Sequence, residues 1–91
     1  MPDAKAAAAE LVTIRDMLRH AVSRFRAAGL VHGHGVTNAF DDAAYLLLET
    51  LHLPVDQLDP WLDARLLPSE RLALAELIEK RVATRQPSAY L

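Results

Sequence analysis

The segment Phe40–Leu53, FDDAAYLLLETLHL, carries apolar side chains on nearly every side of a helix. Phe40, Ala43, Ala44, Leu47, Leu48 and Leu51 share one face at helical spacing, while Tyr45 and Leu46 put apolar surface on the others. A helix of this kind is stable only when neighbours cover it on several sides. The pattern predicts that it forms the centre of the core, each large side chain contributing about 1.5–3 kcal/mol when fully buried.

Two further segments supply the covering stripes. From Thr13 onward, Ile14, Leu18, Ala21, Val22 and Phe25 recur at helical spacing, with Thr13 as cap and Asp16 three residues later in a capping-box arrangement. Gly29 stands where the chain must leave this helix with positive φ. Near the other end, Pro68 suits a first helical position and Glu70 strengthens the start signal. Leu74, Ala75, Ile78 and Val82 then make an apolar face that runs to about Arg85, ahead of Pro87. The central helix is capped by Asn38 or Thr37, takes Asp41 and Asp42 in its first turn, and runs to about His52 before Pro54. The expected fold is all-α: a small bundle of three main helices plus a short helical connection. Leu18, Val22, Phe25, Phe40, Leu47, Leu51, Ile78 and Val82 are expected to be buried together.

The remaining stretches read less strongly. Residues 1–12 are Ala-rich with few large apolar groups, and predict a frayed or flexible extension of at most a turn or two. In the connection, Asp56 suits the start of a short turn and Pro60 breaks any longer helix. Trp61, with Leu58, Leu62 and Leu66, is expected to pack this connection onto the bundle. LVHGHGVTN, residues 30–38, is the principal loop. His32 and His34 lie two apart in it without further ligands nearby, so a loop histidine held by packing or hydrogen bonds is expected, with no metal site.

Composition narrows the possible chemistry. There is no cysteine, hence no disulfide, thiolate site or thiol nucleophile. No apolar run approaches the roughly 20 residues of a membrane span. The opening MPDAKAAAAE lacks a signal pattern, and the chain is expected to be cytoplasmic. The net charge of −2 argues against a bulk nucleic-acid binder, but the charge is unevenly placed. Residues 13–28 sum to +3, whereas residues 38–63 hold six acids and neither Lys nor Arg. On the first stripe helix Arg15, Arg19 and Arg26 lie within about 40° of one another along roughly 16 Å of axis. No nucleophile–base set, metal cluster, G-x-G-x-x-G or phosphate loop is present, so no catalytic, cofactor-binding or metal residue is expected.

Three stretches carry a resemblance. Thr13–Arg19 (TIRDMLR), the loop Gly33-His34-Gly35 followed by Asn38 and Asp41-Asp42-Ala43, and Arg85–Leu91 (RQPSAYL) resemble, in order and spacing, the N-terminal domain of bacterial protein-glutamine N-methyltransferases. The similarity is greatest to the PrmB type, which modifies a large-subunit ribosomal protein. The HemK or PrmC release-factor enzymes share the helical design but usually lack the Gly-His-Gly loop. Two departures stand out: Leu67 replaces a Thr-type cap common in relatives, and Ala44 replaces an acid that the release-factor type tends to carry.

The resemblance implies a division of the chain into an extension (1–12), a helical substrate-recognition domain (13–86) and the start of a linker (87–91). In relatives the linker leads to a class I methyltransferase domain that binds S-adenosylmethionine through a Gly-rich loop and holds the glutamine amide with an Asn-Pro-Pro-Tyr motif. Neither motif occurs here: no two of the five prolines are adjacent, and Tyr90 follows Ala89. The chain therefore resembles the recognition domain alone, expected to be inactive and to bind no cofactor by itself. A ribosomal protein is the implied partner. The acids Asp41, Asp42, Asp56, Asp59 and Asp63 are the expected contact surface for it, on a different face from Arg15, Arg19 and Arg26, which would meet ribosomal RNA or solvent. An RNA-binding module and a purely structural or oligomerisation bundle are the alternative functions.

Overall fold

A computed structural model describes residues 4–32 and 38–85. Four helices, α1 (Ala4–Glu10), α2 (Ile14–Ala27), α3 (Ala39–Thr50) and α4 (Pro68–Thr84), enclose the core, and a single 3-10 turn (Asp59–Trp61) interrupts the connection from α3 to α4. α2 packs against both α3 and α4, and α1 packs along α4. The all-α expectation holds with one more helix than the pattern predicted. Within the Ala-rich start, Ala4–Glu10 is helical, and Ala8 is buried. Small side chains let the α1 backbone approach α4 closely, so packing compensates for a segment too short to be helical alone.

The helix ends follow from local chemistry. Thr13 Oγ1 accepts from the Asp16 N–H at 3.1 Å while Asp16 Oδ2 accepts from the Thr13 N–H at 3.1 Å, the reciprocal cap predicted for α2. Asn38 Oδ1 accepts from the Asp41 N–H at 2.8 Å at the start of α3. Leu67 has no side-chain acceptor, so α4 keeps only half of this device, the Leu67 N–H donating to Glu70 Oε1 at 2.8 Å. Gly29 ends α2 at φ 63°, with the Leu30 N–H returning to the Phe25 carbonyl. α3 ends in the same way, with the Leu53 N–H returning to the Leu48 carbonyl, but the left-handed position is filled by His52 at φ 59°. The helix therefore stops at Thr50, slightly before the expected end.

The core holds Leu18, Phe25, Leu47 and Ile78 as expected, with Met17, Leu46, Leu48 and Leu74 equally deep. Val22, Leu51 and Val82 are only half-buried at its edge. Phe40 is the clear correction, being 49% exposed. α3 is apolar all round, so periodicity could not choose its inward side. The choice is made by Asp42, which is wholly buried. At 100° per residue, turning Asp42 inward places Phe40 nearly opposite.

Between α2 and α4, Glu79 accepts two hydrogen bonds from Arg24, at 2.7 and 2.8 Å. This fork holds the Glu79 carboxyl below its ordinary value and raises Arg24. Asp16 is likewise lowered, chiefly by the backbone N–H of Thr13. Burial pushes His20 below its usual 6.5, outweighing the opposing pull of Glu79. The Glu79, Asp16 and His20 shifts leave the unfolded chain binding more protons than the folded one as the solution is acidified. The His20 contribution is present in full above about 6.5 and is lost as pH falls toward its folded value. The carboxylate contributions are lost below their ordinary values, through the folded pKa of each. Urea midpoints at about pH 7.5, 5.5 and 3.5 should therefore fall in two stages. His20→Gln should remove the first stage and Glu79→Gln should shrink the second.

Candidate functional site

The start of α2 decides how the connection is placed. An α-helix begins with four backbone N–H groups that have no partner inside the helix's own ladder. Here the Ile14 and Arg15 N–H groups donate to the carbonyls of Ala64 and Leu62, at 3.1 and 2.9 Å. Asp16 donates to the Thr13 hydroxyl, and Met17 to the Thr13 carbonyl. The Leu66 N–H returns to the Val12 carbonyl at 2.8 Å, and Thr13 and Arg65 form an isolated antiparallel bridge. This end of α2 is thus fully satisfied by protein and offers no donor to a phosphate.

That docking overturns one expectation. The acidic connection does not lie on a different face from the arginine row but directly beside its first members. Asp63 Oδ1 accepts from Arg15 Nε at 3.1 Å. Both side chains are well exposed, so the pair adds little stability, but it partly neutralises the row. Arg19 donates to Ser23 Oγ at 2.9 Å. Arg26 is exposed near the far end of α2, away from the connection.

Two adjoining hollows open where α2, α3 and the connection meet. The larger, of about 460 Å³, is lined by Phe40, Ala44, Leu48, Val55 and Leu58, with Asp41, Asp56 and Asp59 among them. The smaller, of about 340 Å³, has Leu18, Val22 and Leu62 beside Arg15, Arg19 and Ser23. Phe40, Leu58 and Asp59 line both, so the two form one groove with the Phe40 ring at its middle. The structure therefore brings Asp56, Asp59, Arg15 and Arg19 to one groove and leaves Arg26 outside it. Trp61, 36% exposed, seals the connection less fully than expected, while Leu66 is buried.

Asp42 does not belong to any contact surface. Its Oδ2 accepts from Arg81 Nη2 at 2.8 Å and Nε at 3.2 Å, and lies 2.7 Å from His32 Nδ1. An oxygen already accepting from a guanidinium takes a further proton donor, so Nδ1 is the protonated ring nitrogen. Arg81 also donates to the Val31 carbonyl at 3.1 Å and stacks 5.7 Å from the Phe25 ring centre. Its Nη1 is buried without a hydrogen-bond partner among the described residues. A His–Asp pair can orient a catalytic base, but no hydroxyl is bonded to His32 among the described residues. The cluster ties residues 31–32 to α3 and α4. Sequence reasoning missed it, although Arg81 follows Leu74 and Ile78 at stripe spacing and Asp42 precedes Ala43 and Leu46. His34 lies outside the described residues, as does the segment from residue 86 onward. Among the described residues no group of acids and histidines could hold a metal ion, and no helix is long and apolar enough to cross a membrane.

Against known proteins, the chain is 58% identical over 82 residues to a protein of Bordetella pertussis named ribosomal protein uL3 glutamine methyltransferase. The like-named protein of Burkholderia pseudomallei is 60% identical over 79 residues, and that of Neisseria meningitidis 58% over 85. These matches take in 90%, 87% and 93% of this chain but only 28%, 26% and 28% of the relatives. The chain thus spans little more than a quarter of their length. No family model matches, and no solved structure matches significantly. With 93% of the chain aligned, the similarity runs through α2, α3 and α4 and therefore through both the groove and the buried cluster.

Proposed function

We propose that these residues form the N-terminal, substrate-recognition domain of a cytoplasmic, S-adenosylmethionine-dependent methyltransferase of the PrmB type, acting on a glutamine side chain of ribosomal protein uL3. The observation that carries this reading is identity of 58–60% along almost the whole bundle to relatives named for that reaction. The chain's described residues do not fit the cofactor. Its one described glycine, Gly29, ends a helix, and the described residues contain no strand from which a Gly-rich loop could rise. Methyl transfer is accordingly assigned to sequence that these 91 residues do not contain, and the role left to the bundle is to hold the protein substrate. The RNA-binding alternative is weakened by the fully satisfied start of α2 and by the Asp63 partner of Arg15.

Calorimetry with the 91-residue chain tests the division of labour. Titration with S-adenosylmethionine should give no heat of binding, whereas RNA-free uL3 should bind. Micromolar cofactor affinity, or no affinity for uL3, would reject the assignment.

A further inference from the structure

Exposed apolar side chains scattered singly over a surface carry no message, but two of them here share one concavity. Phe40 and Val55, 49% and 50% exposed, both line the larger hollow. The charged groups around them are all of one sign. Asp41, Asp56 and Asp59 line that hollow and no cation does. Asp41 is engaged by the Asn38 amide, whereas the carboxylates of Asp56 and Asp59 have no hydrogen bond or ion pair among the described residues. At the other end of the groove stand Arg15, already held by Asp63, and Arg19. The groove is therefore apolar at its middle, with uncommitted negative charge toward one end.

We infer that this groove is the docking site for a cationic segment of the protein substrate, with an apolar side chain seated against Phe40 and flanking Lys or Arg residues over Asp56 and Asp59. The inference rests on the substrate-recognition reading and names the surface that performs it. A protein that lives among ribosomal RNA carries Lys and Arg to neutralise phosphates, and the same side chains match an acidic rim. Nucleic acid itself is the poorer occupant, because phosphates would meet the three carboxylates of the larger hollow.

The test is a titration of the isotope-labelled chain with RNA-free uL3 and, separately, with an RNA oligonucleotide, reading amide shifts and affinity. Resonances of Phe40, Val55, Asp56 and Asp59 should move with uL3. Phe40→Ser should weaken binding by about tenfold or more, as removal of a central aromatic anchor does. Val55→Asp gives a second apolar-position variant should Phe40→Ser unfold the chain. Asp56→Lys with Asp59→Lys should weaken binding at low salt and flatten its salt dependence. If uL3 binds and none of these variants changes its affinity, the groove is the wrong surface and the recognition reading survives. Failure of uL3 to bind the unaltered chain removes both. Oligonucleotide binding at the same residues, or a dimer in sedimentation that Phe40→Ser dissolves, would give the groove to RNA or to a second copy and overturn the inference.

Discussion

Asp42→Ala should destabilise the bundle by about 3–5 kcal/mol, the range for breaking a buried ion pair by removing one partner. The reason is what remains behind. Arg81 is 1% exposed, and two of its bonds go to the lost carboxylate, so its charge would stay in the interior with, among the described residues, the Val31 carbonyl and the Phe25 face beside it. His32 would lose its acceptor as well, although its side chain, 12% exposed, can turn to water. Against a typical total of about 5–15 kcal/mol, such a loss brings a domain of this size close to unfolding. The pair as a whole need not be stabilising. Replacing both members at once, Asp42→Leu with Arg81→Met, should recover most or all of the loss, since well-packed apolar groups often equal or exceed a buried pair. Urea denaturation of the two variants at neutral pH decides the matter. A single-variant loss below about 1 kcal/mol, in the range of an exposed ion pair, would mean that the charges are not desolvated as described.

The second large effect belongs to the core. Leu47 is fully buried in the cluster that includes Met17, Phe25, Leu74 and Ile78. Leu47→Ala should cost about 2–5 kcal/mol, the lost transfer energy plus that of the cavity. The contrast within the same helix is informative. Phe40, a larger side chain, should cost far less when replaced by serine, because half of it already faces water. Equal losses at the two positions, measured by the same denaturation, would mean that α3 is rotated from the orientation described.

That rotation marks the limit of what the sequence reveals. Caps are local, and Thr13, Asn38, Gly29 and Pro68 all stand where side-chain chemistry places them. The stripes of α2 and α4 are unambiguous because each has a polar side to contrast with the apolar one. α3 has no such contrast, so nothing in its periodicity distinguishes Phe40 from Leu46. The information lay in a long-range pairing, since Asp42 and Arg81 are 39 positions apart. Asp42 also had a sufficient local explanation, as an acid in the first turn of a helix, and this concealed its role. The groove was half legible. Its charged residues were visible, but the contact between residues 62–66 and the start of α2 that sets them beside one another has no local signature.

The pairing of α1 with α4 has a consequence for how the protein is made. α1 leaves the ribosome ahead of α2, α3 and α4, yet the surface it packs on belongs to α4, Pro68–Thr84. A stretch of seven residues has almost no helical tendency before that surface exists. The nascent chain must therefore carry an unstructured start and a half-covered α2–α3 pair until Thr84 has emerged. Completion of the bundle is timed by the end of α4 synthesis, and the exposed apolar surface of the waiting pair is what a chaperone would meet in that interval.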